Sequence, residues 1–132
     1  MCKNPLIAVV DDDESMREAL QSLLRSVGLR AEVCASAEDF LQSDHLPYTA
    51  CLIVDVRMPC MSGLELQQQL TTAHCPLPII FITAHGDAKT RARALRAGAV
   101  GFLDKPFSDE VLLRAVQAAL PSVRGDREGS QR

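Results

Sequence analysis

No C-x-x-C pair, no apolar stretch near the roughly eighteen residues of a membrane span and no excess of positive charge is found in this sequence. Each absence closes off a class. The five cysteines (Cys2, Cys34, Cys51, Cys60, Cys75) are odd in number and widely spaced, which argues against a zinc site or a disulfide framework. They read instead as reduced thiols in the cytoplasm. The apolar run before the first acidic cluster spans five residues, too short for a signal peptide. A net charge of -3 gives no general attraction to nucleic acid or to an anionic membrane surface, so neither is expected as a direct partner. Internal repeats and low-complexity blocks are also missing.

What is present is an ordinary globular composition, 47% hydrophobic and 23% charged over 132 residues. That length suits one domain that buries about two-thirds of its unfolded surface. Short apolar runs at Leu6–Val10, Glu32–Ala35, Cys51–Val54, Ile79–Ile82 and Val100–Leu103 read as strands. Several are almost wholly apolar, as strands covered on both faces are in parallel sheets. Helical patterns fill the gaps. Met16, Ala19, Leu20, Leu23, Leu24 and Val27 share a helical stripe that stops at Gly28, and Ser36 caps a short helix over Ala37–Leu41. Ser62 and Gly63 open a third helix built on Leu66 and Leu70, and a fourth runs from about Asp87 to Ala97 and stops at Gly98. Ser108 caps a fifth, with Val111, Leu112, Ala115, Val116, Ala119 and Leu120 as its expected buried face and Pro121 at its end. The prediction is one α/β domain over residues 1–120, a flavodoxin-like (βα)5 doubly wound parallel sheet in strand order 2-1-3-4-5. Residues 121–132 are polar and glycine-containing and read as a tail or the start of a linker.

In such a sheet, ligands bind beyond the carboxyl ends of the strands. Those ends carry Asp11, Asp12 and Asp13 after the first strand, Asp55 after the third, Thr83 after the fourth, and Asp104 and Lys105 after the fifth. With neighbouring strands about 4.8 Å apart, Asp11, Asp12, Asp55, Thr83 and Lys105 would surround one pocket. Singly these residues have plainer readings: acids at a helix start, a loop cap, a turn lysine. Their shared location argues for a site. Clustered carboxylates should raise at least one pKa unless a cation intervenes. Magnesium suits oxygen ligands with room left for phosphate, whereas the spaced acidic loop that would favour calcium is missing. Asp55 as nucleophile, Lys105 as cationic clamp and Thr83 as hydrogen-bond donor then meet the needs of phosphoryl transfer to a carboxylate.

The runs Val9-Val10-Asp11-Asp12-Asp13-Glu14, Asp55-Val56-Arg57-Met58-Pro59, Met61-Ser62-Gly63, Ile82-Thr83-Ala84 and Lys105-Pro106-Phe107 resemble the two-component receiver family from Leu6 to Leu120. The stretch from Phe81 to Asp87, with Ala97-Gly98-Ala99, resembles its FixJ/NarL-like branch, whose members commonly carry a C-terminal helix-turn-helix and regulate transcription. The resemblance implies that Asp55 accepts a phosphoryl group from a sensor histidine kinase. It implies a magnesium ion, with manganese as an acceptable substitute, held by Asp12, Asp55 and the backbone carbonyl of Arg57, with Asp11 acting largely through water. Thr83 and Lys105 would contact the phosphoryl group, and Phe102 would be the aromatic switch. Its inward turn would reshape the surface of the fourth helix, fifth strand and fifth helix. By the same resemblance, Arg57 and His85 would flank the path of a hydrolysing water and are expected to tune phosphate lifetime. Cys60 departs from the family pattern, which usually has Gly or Asp there.

The fourth helix is basic (Lys89, Arg91, Arg93, Arg96) and the fifth opens with Asp109 and Glu110, an asymmetry that suits a homodimer formed on phosphorylation. The rival enzyme reading is a haloacid-dehalogenase-type phosphatase. Arg57 stands where that family has its second aspartate, which argues against it. A stand-alone receiver that docks onto another protein is the other alternative. The linker-like residues 121–132 favour a piece of a longer transcription regulator.

Overall fold

The computed structural model describes residues 5–58, 60–75, 77–84 and 87–120. Strands and helices alternate: β1 (Leu6–Val10), α1 (Glu14–Ser26), β2 (Arg30–Cys34), α2 (Ala37–Leu41), β3 (Thr49–Asp55), α3 (Gly63–Thr72), β4 (Ile79–Thr83), α4 (Ala88–Arg96), β5 (Gly101–Asp104) and α5 (Asp109–Ala119). Among the described residues the strands form one five-stranded sheet in the order β2-β1-β3-β4-β5, and all its pairings are parallel. None of the described helices is long and apolar enough to cross a membrane.

The near-continuous apolar strands have the predicted cause. Every residue of β1 and β4 is buried, because alternate side chains feed two separate cores. Ile7, Val9, Ile53, Ile80 and Ile82 point to one face, where they meet Leu20 and Leu24 of α1 and Leu112 and Val116 of α5. Val10, Leu52, Val54, Phe81 and Phe102 point to the other, where they meet Phe40 of α2, Leu66 and Leu70 of α3 and Ala94 of α4. Burying one such leucine or isoleucine contributes about 1.5–3 kcal/mol, so the sheet's position depends on both faces being covered.

Helix starts follow the sequence signals. Ser36, Ser62 and Ser108 each accept a backbone N–H from three residues on, and Ser62 forms a full capping box with Glu65. Gly28 and Gly98, at φ 88° and 110°, take the left-handed conformation that ends α1 and α4.

The structure corrects three details. β2 begins at Arg30 and ends at Cys34, earlier than its apolar run suggests, because main-chain pairing to Leu6 rather than side-chain burial starts it. Val111 is 44% exposed, because the inner face of α5 centres on Leu112 and Val116, with Ala115, Ala119 and Leu120 partly buried beside them. A 3-10 turn at Leu46–Tyr48, with a proline in its first turn, precedes β3 and was not anticipated.

Candidate functional site

The acidic run after β1 divides its labour. The Asp11 backbone N–H donates to the Cys34 carbonyl at 3.2 Å, extending the β1–β2 pairing by one residue and fixing Asp11 at the sheet's carboxyl edge. Its Oδ1 accepts the Asp13 N–H at 2.9 Å, and the side chain is fully buried. Asp13 turns away to cap α1 by accepting the Ser15 N–H at 3.0 Å, and Glu14 occupies the helix's first turn. The helix-acid reading therefore fits Asp13 and Glu14, and the site reading fits Asp11 and Asp12.

Asp55 is the last residue of β3, and the Val56 N–H donates to the Ile82 carbonyl at 2.9 Å beyond it. One Asp55 oxygen, Oδ1, accepts the Arg57 N–H at 2.9 Å, and the other, Oδ2, accepts from the Lys105 ammonium at 2.9 Å. Lys105 also reaches Asp11 Oδ2 at 3.3 Å, while its own N–H donates to the Thr83 carbonyl at 2.7 Å. Thr83 is buried at the end of β4. Segments far apart in the chain thus converge on one edge of the sheet, as predicted for Asp11, Asp12, Asp55, Thr83 and Lys105.

Burial pushes the Asp11 carboxyl above its ordinary range. The Asp13 amide opposes this shift, the nearby charge of Asp55 adds to it, and Lys105 offsets part. The expected raised carboxylate is present, with burial ahead of repulsion as its cause. For Lys105, burial works against the ammonium, but the hydrogen bond to Asp55 and the attraction of both carboxylates outweigh it, and the net shift is upward.

One oxygen each of Asp11, Asp12 and Asp55 lie within 4.8 Å of one another. Hard oxygen donors that close, two of them buried and one open to solvent, fit a small divalent cation that keeps several waters. A lysine on the rim leaves the cluster's other side cationic, which suits an anionic group.

The remaining predicted residues lie around this centre. The positive charge of Arg57 helps hold the Asp87 carboxyl below its ordinary range, behind the larger effect of hydrogen bonding from Thr90. Phe102 is on β5, in register with Phe81, and its ring faces the α2–α4 core rather than the acidic pocket. His85 lies outside the described residues. Cys60 is exposed and sits at φ 69°, which explains why glycine suits this position and marks the departure as a strained one.

Sequence reasoning missed two supports. Arg17 of α1 donates from Nη1 to the Asp11 carbonyl at 2.9 Å and so braces the acidic turn, a through-space contact with no signature in spacing. Gly63 was read only as a helix opener. A Cβ there would meet the Asp55 carbonyl oxygen at 2.5 Å and Phe81 Cε1 at 3.1 Å, so glycine lets α3 start directly against the strand end that carries Asp55.

Known proteins resemble this chain over most of its length. A sequence model described as the response regulator receiver domain matches residues 7–117. Nodulation protein W of Bradyrhizobium diazoefficiens is 48% identical over 126 residues, covering 96% of this chain and 56% of that protein. Transcriptional regulatory protein FixJ of the same organism is 40% identical over 116 residues, covering 86% and 56%. Among solved structures, the response regulator StyR superposes with a TM-score of 0.84 at 46% identity, over 95% of this chain and 63% of that one. The chain spans about half the length of the curated relatives it matches.

Proposed function

Because the chain belongs to the response regulator receiver domain family, we propose that Asp55 is its phosphoacceptor, loaded from a phosphohistidine of a sensor kinase. Domains of this family are signalling phosphoacceptors rather than enzymes that turn over a separate substrate. The observation that carries the assignment is the dual anchoring of Asp55, with Oδ1 held by the Arg57 amide and Oδ2 by Lys105. A carboxylate fixed at both oxygens beside a cation is oriented for in-line attack.

In the transfer, an Asp55 oxygen forms a bond to phosphorus as the phosphorus–nitrogen bond of the donor breaks. The electron pair stays on the leaving histidine nitrogen, which is then protonated. Lys105 neutralises charge on the phosphoryl oxygens and Thr83 donates a hydrogen bond to one of them. Asp12, Asp55 and the Arg57 carbonyl would hold magnesium, or manganese in its place, with Asp11 acting through water. When bound, the ion supplies further charge neutralisation at the phosphoryl group.

The Phe102 ring and Thr83 form the switch that passes occupancy of the site to the α4–β5–α5 surface. That surface pairs a basic α4 with the acidic start of α5 and exposes Leu95, Val100 and Val111, which supports a homodimer on phosphorylation. Arg57 and His85 adjust the lifetime of the acyl phosphate. In this reading residues 1–120 are the receiver, and the tail or linker expected at residues 121–132 lies outside the described residues; a transcription-regulating output is proposed from the name of the FixJ relative. The working compartment is the cytoplasm.

Intact mass after incubation with acetyl phosphate and magnesium tests the assignment. The wild-type chain should gain one phosphoryl group and Asp55→Asn none, and equal gain by both would reject Asp55 as acceptor.

A further inference from the structure

We propose that Arg91 is a positioning residue for the switch: its guanidinium rests on the Phe102 ring and holds that ring in the buried state that favours an occupied phosphoryl site. The inference rests on the acceptor reading above and extends it to a residue outside the pocket.

Phe102 is 6% exposed, and its ring packs beside Phe81, with centroids 6.2 Å apart and planes tilted by 45°. The Arg91 Cζ lies 5.7 Å from the centroid of the Phe102 ring, within the range of a cation–π contact. The helix sets this geometry. Arg91 precedes Ala94 by three residues, and Ala94 is the buried residue through which α4 joins the same core cluster as Phe102 and Phe81. The Arg91 stem therefore leaves α4 on the side facing β5, while its residue as a whole stays exposed.

Competition for the guanidinium is weak. Among the described residues Arg91 makes no ion pair, and its neighbours Lys89 and Arg93 are cations that would repel it from other positions on the helix. A cation on the electron-rich face of the ring stabilises the buried rotamer and has nothing to contact once the ring swings away. A ligand at the site that requires the buried ring then binds more tightly in proportion to the population so favoured.

Beryllofluoride with magnesium, a phosphoryl mimic, is the probe. Arg91→Met should weaken its binding by about two- to fivefold, the range expected of an exposed cation on an aromatic face. Arg91→Lys, which keeps the charge, should stay within about twofold of wild type. In a Phe102→Leu background the Met and Lys variants should bind equally, since no ring remains to hold. Unchanged binding by Arg91→Met, or an undiminished loss in the Phe102→Leu background, overturns the proposal. A double-mutant cycle of urea unfolding on the same pair needs no ligand and should show favourable coupling, and additive effects would also overturn it. If wild type bound no mimic while the coupling persisted, the acceptor reading would fail and the Arg91–Phe102 contact would stand.

Discussion

The two faces of the sheet are packed with different materials. On the α1/α5 side the buried residues are aliphatic apart from Cys51: Ile7, Val9, Ile53, Ile80 and Ile82 against Leu20, Leu24, Leu112 and Val116. On the α2–α4 side are the buried aromatic rings Phe40, Phe81 and Phe102, interleaved with Ala8, Ala37 and Ala94; half-buried Met58 and Met61 lie at its margin, as Met16 and Phe107 do on the other side. Branched aliphatic side chains have few rotamers and fill space rigidly. Rings beside alanines and thioethers can repack with less penalty. Both cores hold up the same acidic edge, but the ring proposed as the switch, Phe102, belongs to the aromatic one. On these packing grounds the first face is expected to act as a fixed wall and the second to accommodate movement.

The largest test of that contrast is Leu112→Ala. It should lower unfolding free energy by about 2–5 kcal/mol in urea titrations while leaving magnesium affinity per folded molecule unchanged. A matching loss of affinity would show that the wall is not independent of the site. Gly63→Ala comes next, at about 1–3 kcal/mol, because the added methyl group must displace the Asp55 backbone or the Phe81 ring. Unlike the first variant it should also weaken magnesium binding, measured by calorimetry, and a purely energetic effect would break the link between the aromatic face and Asp55.

The smallest expected effect is in pH dependence. With its pKa raised above the ordinary 3.8, Asp11 keeps more protons bound in the folded than in the unfolded chain. Metal-free stability should therefore fall as pH rises from about 3.8 through the folded value, and Asp11→Asn should remove that slope. Lys105 acts at the other end. Its stabilising contribution is fully present below the ordinary 10.5 and is lost as pH rises through the raised folded value, a loss that Lys105→Met should abolish. Denaturant titrations across pH would settle both, and identical profiles in the variants would contradict the charge assignment.

Much of this was legible in the sequence because it is written in local chemistry. Caps at Ser36, Ser62 and Ser108, the stops at Gly28 and Gly98, and apolar runs ending in Asp11, Asp55 and Lys105 all act within a few residues. Parallel topology then brings strand ends together without further information. The misses share the opposite property. The start of β2 at exposed Arg30 is decided by a partner strand, and the exposure of Val111 depends on how much of α5 the sheet can cover. Arg17 on the Asp11 carbonyl, Gly63 against Asp55 and Arg91 over Phe102 are contacts through space. No spacing rule announces them.

The central claim is that the acyl phosphate forms on one carboxylate. Borohydride reduces an acyl phosphate to the alcohol, so treating the phosphorylated chain with it and sequencing the peptides by mass spectrometry reads out the site directly. The account predicts homoserine at position 55 and at no other aspartate. Homoserine at position 11 or 12 with Asp55 intact would contradict it.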